Sequence, residues 1–233
     1  MNIALFGYGK MGKMIETLAS KRNHTIVAKI DIDTTEIDFS GIDVAIDFSQ
    51  PSAAFSNIKM CLEHKTPIIS GTTGWLDQYD DAVGLCNENN GAFIYASNFS
   101  LGVNLFFELN EYLAKMMTNL RDYSISMEEI HHTQKLDAPS GTAITLAEAI
   151  IKNTSYTGWK LKGKEAHIIP IHAIREGNVP GTHSVTYDSY VDSIEIKHTA
   201  NNREGFALGA LTAAEWIIGK HGVFTMKDVL HIQ

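Results

Sequence analysis

A glycine-rich turn near the start of the chain restricts the folds that the sequence can adopt. Residues 2–6, NIALF, form a short apolar run, and GYGKMG follows directly, so that Gly7, Gly9 and Gly12 match G-x-G-x-x-G. The next residues place apolar side chains at helical spacing. A strand, a glycine turn and a helix form the setting in which this motif binds a dinucleotide, because glycine lets the backbone approach a pyrophosphate at the helix N-terminus.

An acidic residue stands at the distance from this turn that a dinucleotide-binding fold requires. The apolar run TIVAKI ends at Asp31, which is 31 − 12 = 19 residues after Gly12. A carboxylate about 20 residues after the motif accepts hydrogen bonds from the adenosine ribose. The alternative is an ordinary glycine turn and a solvated aspartate. The flanking strand and helix, together with the spacing, favour a dinucleotide site.

Strands and helices alternate through the first hundred residues. The sequence predicts strands at 43–48, 67–70 and 92–96, and a helix at 51–64 that begins with proline. This alternation predicts an α/β fold with a Rossmann-type, doubly wound parallel sheet, whose ligands bind at the C-terminal ends of the strands. Three of those ends carry small or polar residues, in GYGKMG, GTTG and ASNFS. They are expected to form one edge that binds the cofactor, with the hydroxyl groups of GTTG beside the nicotinamide ribose.

The second half of the chain has a different pattern. Three segments alternate apolar and polar residues as strands with one wet face do: 122–132, 182–190 and 192–200. Helices are expected at 105–117 and 140–152, and a long apolar helix at 203–220 is expected to return to the first domain. We therefore predict a dinucleotide-binding domain of residues 1–99 and 205–233. A second α+β domain with a mixed or antiparallel sheet is predicted at 100–204.

The segment EEIHHTQKLDAPSGTA, residues 128–143, combines groups that acid catalysis and anion binding require. On a strand, His131 and His132 would point to opposite faces, and an imidazole is the usual proton donor near neutral pH. Lys135 offers a charge for a carboxylate, and Ser140–Thr142 lies at a helix start, where backbone N–H groups bind anions. A structural histidine pair before an ordinary helix cap is the alternative. A zinc site is less favoured, because no cysteine lies nearby in sequence, and we predict no metal.

Charge and cysteine content exclude some classes of protein. The formal net charge of the 233-residue chain is −8, which argues against nucleic-acid binding. The two cysteines, Cys61 and Cys86, lack the spacing of a metal site, so a reduced, cytoplasmic protein is the simplest interpretation. The first residues do not have the pattern of a signal peptide, and no long apolar run predicts a membrane span.

Several motifs occur together in an order that resembles the dihydrodipicolinate reductase family. They are GYGKMG, GTTG, ASNFSLGVN, EEIHHTQKLDAPSGTA, REGNVPGTHSV and HTANNREGFALGALTAAEWI, and they extend from residue 2 to about residue 220. The glycine motif alone is not specific, whereas the His-His-x-x-Lys-x-Asp-Ala-Pro-Ser-Gly-Thr run is. The resemblance implies hydride transfer from NADH or NADPH to a cyclic imine dicarboxylate, which gives tetrahydrodipicolinate in lysine and diaminopimelate biosynthesis. It also implies a homotetramer formed through the sheet of the second domain.

The resemblance also implies roles for individual residues. His131 and Lys135 correspond to the catalytic proton donors, and His132, Lys135, Ser140, Gly141 and Thr142 correspond to residues that hold the substrate carboxylates. The residues that would bind the dinucleotide are Gly7, Tyr8, Gly9, Lys10, Met11, Gly12, Asp31, Gly71, Thr72, Thr73, Ala96, Ser97, Asn98 and Phe99.

The cofactor end of the sequence differs from a typical NADPH site. Ile32 follows Asp31, where an arginine would help to hold a 2′-phosphate, and the Asp31 carboxylate would repel that phosphate. We expect NADH to be used at least as well as NADPH, although Lys10 and Lys13 in the glycine turn would partly offset the repulsion.

The substrate end of the sequence also departs from the family pattern. Thr133 and Gln134 occupy positions where many members have Arg-His. This difference removes local positive charge, so we expect the substrate to bind less tightly. Two other functions stay open at this point. One is a different two-domain dehydrogenase, acting on aspartate or homoserine, and the other is a dinucleotide sensor without catalytic activity.

Overall fold

A computed structural model describes residues 1–34, 36–163, 165–202 and 204–232. It divides the chain into two compact units, one of Met1–Leu101 with Glu204–Gln233 and the other of Gly102–Arg203. None of the helices among the described residues is both long and apolar enough to cross a membrane.

The first unit begins with alternating strands and helices. The strands are β1 (Asn2–Phe6), β2 (Thr25–Ile30), β3 (Val44–Asp47), β4 (Ile68–Ser70) and β5 (Ala92–Tyr95), and the helices are α1 (Lys10–Lys21), α2 (Pro51–Glu63) and α3 (Tyr79–Glu88). A short 3₁₀ turn, Leu76–Gln78, precedes α3. The predicted strands at 43–48, 67–70 and 92–96 are thus confirmed with slightly shorter bounds.

The described residues of the second unit form two helices and five strands. Helices α4 (Leu101–Met117) and α5 (Gly141–Asn153) lie on either side of β6 (Ser124–His131) in sequence. The remaining strands are β7 (Gly158–Leu161), β8 (Ile168–Arg175), β9 (Thr182–Asp188) and β10 (Ser193–Thr199). The sequence analysis did not predict β7 and β8.

The chain then completes the first unit. Helix α6 (Glu204–Ile217) is followed by β11 (Gly222–Phe224) and α7 (Met226–Val229). The predicted helix at 203–220 is therefore observed from Glu204 to Ile217, and Arg203 lies outside the described residues. Strand β11 was not predicted.

The sheet of the first unit is parallel throughout, in the order β11-β5-β4-β3-β1-β2. Apart from Asn2 and Asp47, strands β1 and β3 are apolar, and both strands are almost fully buried, as expected for a parallel sheet that is covered on both faces. Helices α1 and α6 pack against one side of this core, with Ile15, Leu211 and Ile217 fully buried. The Rossmann-type sheet is confirmed, and the C-terminal ends of β1 to β5 meet at one edge.

The sheet of the second unit is mixed, in the order β10-β9-β6-β8-β7. Strands β10, β9 and β6 are antiparallel neighbours, whereas β6, β8 and β7 are parallel. Side chains of alternate residues, such as Ile125 and Met127, pack against α4 and α5. The same periodicity continues to Glu129 and His131, which lie on this covered face, so strand register places a charged cluster at the end of an apolar core.

Candidate active site

The glycine turn between β1 and α1 allows backbone contacts that no other residue would permit. Gly7 has φ of +88°, and a Cβ atom on it would lie 2.2 Å from the Phe48 carbonyl oxygen. A Cβ on Gly12 would lie 2.4 Å from the Gly7 carbonyl oxygen. Helix α1 starts at Lys10, directly after this turn. The first N–H groups of α1 are therefore presented at the C-terminal edge of the sheet, where an anion binds well.

A cavity of about 480 Å³ opens beside this turn. Gly7, Tyr8, Gly9 and Asp31, all predicted cofactor residues, line it. Ser49, Gln50 and other residues after β3 line it as well, and the sequence analysis did not identify them. The signal that would have found them is the Phe-Ser-Gln-Pro segment, which ends a predicted strand and begins a predicted helix. The other predicted cofactor residues do not line this cavity.

Asp31 is exposed at the end of β2, as its proposed contact with a ribose requires. Its own backbone N–H donates to Thr34 Oγ1, and its Oδ1 accepts from the N–H of Ile32 at 2.9 Å. The carboxylate is thus oriented by the turn that follows it.

The charge of Lys29, on the same strand, is already paired. Lys29 Nζ lies 2.7 Å from Glu16 Oε1 and 3.1 Å from the Tyr8 hydroxyl, and the hydroxyl donates to Glu16 Oε2. The hydrogen bond from Lys29 lowers the pKa of Glu16, and Glu16 in turn raises the pKa of Lys29. These contacts hold the Tyr8 side chain in place beside the glycine turn.

A buried carboxylate, Asp47, connects the GTTG loop to the loop after β3. Asp47 is fully buried and accepts hydrogen bonds from the hydroxyls of Ser49, Ser70 and Thr72 at 2.6–2.7 Å, and from the Asn57 amide at 3.0 Å. The Thr72 hydroxyl also accepts from the Ser49 N–H at 2.8 Å. Thr72 is thus engaged within the protein, whereas the predicted residue Thr73 is exposed.

The segment Ala96–Phe99 also combines exposed and buried residues. Ser97 is exposed, and Asn98 Oδ1 accepts from the Ser100 N–H at 2.8 Å. Phe99 is almost fully buried, and its ring packs edge-on against Phe48 at 5.9 Å between centroids. Phe99 therefore serves the core through its side chain and can meet a cofactor only through its backbone.

In the second unit, His131 lies in a buried cluster with groups from three strands. Register places Glu129 opposite His183 on β9, and His131 opposite Arg175 on β8. The Glu129 carboxylate is fully buried, and its Oε2 lies 3.8 Å from both His131 Nδ1 and His183 Nε2. The two imidazole rings meet edge to face, with 5.0 Å between centroids. The cluster places a negative charge between two imidazoles.

Arg175 ties this cluster to the loop that carries Lys135. Its Nη2 donates to Glu129 Oε1 at 3.0 Å and to the Asp137 carbonyl at 2.5 Å. Its Nε donates to the Lys135 carbonyl at 3.2 Å. One planar guanidinium thus fixes a buried carboxylate and two loop carbonyls at once.

Lys135, which is predicted to bind the substrate carboxylates, forms an ion pair with Asp137. Lys135 Nζ lies 2.8 and 2.7 Å from the two carboxylate oxygens of Asp137. The hydrogen bond from Lys135 lowers the pKa of Asp137. His132, the other predicted substrate contact in this loop, is half-buried and follows the end of β6. A carboxylate ligand would compete with Asp137 for the ammonium.

Ser140 is the N-cap of α5 and is buried among the same groups. Its Oγ accepts from the Ala143 N–H at 3.2 Å and lies 3.1 Å from His183 Nε2, while its N–H donates to Glu129 Oε2 at 2.9 Å. Its polar groups are thus used inside the protein. Gly141 is exposed, with no atom within 4 Å of a Cβ built on it, so the next turn of the helix start is open.

Burial and charge act in opposite directions on the imidazoles. Burial lowers the pKa of His131, and the nearby Glu129 carboxylate opposes that shift. Burial and the neighbouring His131 lower the pKa of His183 to about 4, so His183 is neutral at physiological pH. Hydrogen bonds from Ser140 and Arg175 outweigh burial and lower the pKa of Glu129, which stays charged.

The donors of Glu129, His131 and His183 lie within 4.8 Å of one another, a spacing that a metal ion could bridge. However, the guanidinium of Arg175 is already bound to the same carboxylate at 3.0 Å and would repel a cation. The Ser140 N–H donates to the second oxygen of the Glu129 carboxylate, Oε2. These contacts bind the Glu129 carboxylate within the protein.

Sequence reasoning missed Glu129, Arg175 and His183. The sequence gives one weak indication of Glu129: it is a charged residue at a position of the strand where the alternating pattern predicts a buried, apolar side chain. Arg175 and His183 lie over 40 residues away in sequence and reach the site only through strand pairing.

Comparisons with known proteins point to one protein family. The family model "Dihydrodipicolinate reductase, N-terminus" matches residues 1–99, and "Dihydrodipicolinate reductase, C-terminus" matches residues 102–230. A 4-hydroxy-tetrahydrodipicolinate reductase of Christiangramia forsetii is 60% identical over 99% of this chain and 98% of its own. A reductase of the same name from Alkaliphilus oremlandii is 35% identical over 100% and 99% of the two chains.

A solved structure shows the same fold. Dipicolinate-bound dihydrodipicolinate reductase from Paenisporosarcina sp. TG-14 superposes with a TM-score of 0.80 over 97% of each chain, at 22% identity. By both family models and by relatives that match nearly end to end, the chain belongs to the dihydrodipicolinate reductase family.

Proposed function

We propose that this chain reduces 4-hydroxy-tetrahydrodipicolinate to tetrahydrodipicolinate with NADH or NADPH, that the 4-hydroxyl group leaves as water, and that His131 supplies the proton. The observation that carries this proposal is the position of His131, at the end of β6 beside a buried carboxylate and directly before the Lys135 loop. Family membership makes the chain an NAD(P)H-dependent oxidoreductase of lysine and diaminopimelate biosynthesis. It also removes the aspartate and homoserine dehydrogenase alternative.

The first unit offers the groups that a dinucleotide needs. The pyrophosphate would lie on the Gly7–Gly12 turn at the start of α1, and Asp31 would accept from the adenosine ribose. The exposed Thr73 and the segment 96–99 would line the nicotinamide end. When bound, the dinucleotide supplies the hydride.

The second unit offers the groups that the substrate needs. Two carboxylates would be held by the Lys135 ammonium, by His132 and by the N–H groups of Gly141 and Thr142 at the start of α5. The Lys135 ammonium, paired with Asp137 in this structure, would pass to a substrate carboxylate. Protonated His131 would donate its proton as electron density develops on the substrate, and Lys135 would serve as the second donor.

We further propose that the protein assembles as a homotetramer in the cytoplasm. The face of the second sheet opposite α4 and α5 combines Ser126, Ser184 and Thr186 and the isoleucines Ile130 and Ile174 with the charged residues Glu128, Glu195 and Lys197, a mixed surface that could pack against another sheet. The free thiols of Cys61 and Cys86 are buried, in keeping with a reducing compartment.

A coupled assay tests the function directly. Dihydrodipicolinate synthase would generate the unstable substrate from pyruvate and aspartate semialdehyde, while NADH or NADPH oxidation is followed at 340 nm. Oxidation that depends on the synthase is expected. NADH binding by calorimetry without synthase-dependent oxidation would contradict the proposal and favour a dinucleotide sensor.

The role of His131 is tested by His131→Gln. Loss of the proton donor is expected to lower kcat on the order of 10²–10⁴-fold, with NADH affinity near that of the parent protein, since the cofactor contacts lie in the first unit. Steady-state kinetics and calorimetry measure the two quantities. A kcat within a factor of two of the parent would remove His131 from the mechanism.

A further inference from the structure

We propose that Glu129 and Arg175 are positioning residues for the reaction: Glu129 holds protonated His131, and Arg175 locks Glu129 to the Lys135 loop. This inference rests on the proposed function, because it takes His131 as the proton donor. Neither residue is expected to touch the substrate, since Glu129 is fully buried and the Arg175 fork is occupied by protein groups.

The first step of the argument is the burial of Glu129. A carboxylate inside an apolar core is costly unless it is paired, and replacing it with a neutral side chain would often make a core more stable. Here it lies on the apolar face of β6, next in alternation after Ile125 and Met127. Its two oxygens receive Arg175 Nη2 and the Ser140 N–H. This arrangement keeps the carboxylate charged and fixes its orientation.

The second step is the position of the charge relative to His131. Glu129 Oε2 lies 3.8 Å from His131 Nδ1, which is buried and has no hydrogen-bond partner among the described residues. A small movement of the ring would bring Nδ1 into hydrogen-bond range. The opposite edge of the ring, Nε2, lies beside Gly181 Cα, 3.2 Å from where a Cβ would stand. Glu129 thus faces the Nδ1 edge of the ring, whereas the Nε2 edge borders a glycine that has no side chain to cover it.

The third step concerns the groups that face His131. Glu129 faces it from its own strand, His183 from β9 and Arg175 from β8, while Lys135 and Asp137 face it from the loop after β6. His198 on β10 acts on His183. Among these groups, Glu129 provides the main stabilisation of an imidazolium, since burial, Lys135 and Arg175 oppose that charge. Removing the Glu129 charge is expected to lower the pH at which His131 loses its proton.

The fourth step is the geometry of Arg175. The guanidinium joins Glu129 to the carbonyls of Lys135 and Asp137, so the proton donor and the substrate-binding loop share one support. Lysine at this position would keep the positive charge but would lose the fork that reaches three acceptors. The loop would then be placed less accurately, while the electrostatic environment of His131 would change little.

The test compares Glu129→Gln and Arg175→Lys in the full chain. Glu129→Gln is expected to lower kcat on the order of 10- to 100-fold and to move the alkaline limb of the kcat–pH profile to lower pH. Arg175→Lys is expected to raise the substrate KM on the order of 10-fold and to leave that limb in place. Glu148→Gln, which removes one charge from an exposed position of α5, is the matched control. It should leave kcat, the substrate KM and the alkaline limb unchanged.

His131→Gln is measured alongside, and NADH affinity and thermal unfolding report whether each variant is folded. If His131→Gln loses activity while Glu129→Gln keeps the parent kcat and pH limb, the inference is overturned and the proposed function stands. If His131→Gln keeps its activity, the proposed proton donor and this inference both fall. A limb shift that Glu148→Gln reproduces would also overturn the inference, because it would show a general charge effect.

Discussion

At the scale of single residues, we expect Asp31 to determine which dinucleotide the first unit favours. Its exposed carboxylate lines the cofactor cavity, and no lysine or arginine is found among the described residues that line it. Lys29 is on the same strand, but its ammonium is bound by Glu16 and Tyr8. A 2′-phosphate in this cavity would meet a negative charge, and Lys10 and Lys13 of the adjacent glycine turn do not line the cavity.

We therefore expect kcat/KM with NADH to be at least equal to that with NADPH, and Asp31→Asn to raise kcat/KM for NADPH relative to NADH. Asparagine keeps the size of the side chain and removes the repulsion. Initial rates with both cofactors, in parent and variant, measure the ratio. The prediction is wrong if the parent strongly prefers NADPH, which would mean that Lys10 and Lys13 outweigh Asp31.

His183 shows how a buried imidazole makes stability depend on pH. It is 5% exposed, and its pKa is lowered from 6.5 to about 4. Between these two values the unfolded chain binds a proton that the folded chain does not, so folding is favoured above pH 6.5 and loses this contribution as pH falls toward 4. The difference, 6.5 − 4 = 2.5, corresponds to about 3 kcal/mol. Burial also lowers the pKa of His131 and His198, with the same sign.

The free energy of unfolding is thus expected to fall by about 3 kcal/mol or more between pH 7 and pH 4. His183→Gln should make this dependence shallower, since glutamine does not titrate. Urea unfolding followed by circular dichroism at several pH values measures it. An equally steep loss in parent and variant would show that His183 is not responsible.

At the scale of secondary-structure elements, Asp47 connects the end of β3 to the end of β4 and to α2. Four neutral donors surround its carboxylate, and all four belong to these elements or to the loops that follow the strands. The loop after β3 and the loop after β4 are therefore held together at the C-terminal edge of the sheet. Asparagine at this position would turn an NH₂ group toward one or more donors and leave buried groups unpaired.

Asp47→Asn is expected to lower the free energy of unfolding by about 1–3 kcal/mol and to raise the KM for the cofactor. In a chain of this size each kcal/mol corresponds to about 2–4 °C in Tm. Asp43→Asn is the control, because Asp43 is exposed and accepts one hydrogen bond, from the Asn2 N–H. Similar losses of Tm in the two variants would contradict the proposed importance of the Asp47 network.

These elements also show what the sequence could and could not predict. The glycine turn, Asp31 and the strand-end loops depend on local rules, because a turn motif and alternating periodicity are readable within a short window. Glu129 and Arg175 contact each other because β6 pairs with β8, more than 40 residues later. No local sequence pattern predicts the register in which β6 pairs with β8. Likewise, the GTTG motif suggests that the Thr72 hydroxyl faces the cofactor, but only the structure shows that this hydroxyl donates to Asp47.

At the scale of the whole molecule, the second sheet presents one face that neither α4 nor α5 covers. Its middle strands carry Ser126, Ser184 and Thr186, and Ile130 and Ile174 are paired across β6 and β8. Ile174 is 37% exposed. Glu128, Glu195 and Lys197 lie on the same face, so two copies packed through it would join small hydroxyl residues and an apolar pair with opposite charges that can pair.

Thr186→Arg is expected to disrupt the proposed tetramer, because an arginine in the middle of this face would prevent close sheet packing. The side chain lies opposite the covered face, so the fold and the His131 cluster should persist. Ser56→Arg on α2, an exposed position of the first unit, adds the same charge elsewhere. Light scattering should give four times the 25.7 kDa chain mass for the parent and for Ser56→Arg, and a smaller mass for Thr186→Arg. A monomeric parent, or a Thr186→Arg variant of unchanged mass, would show that this face is not the assembly surface.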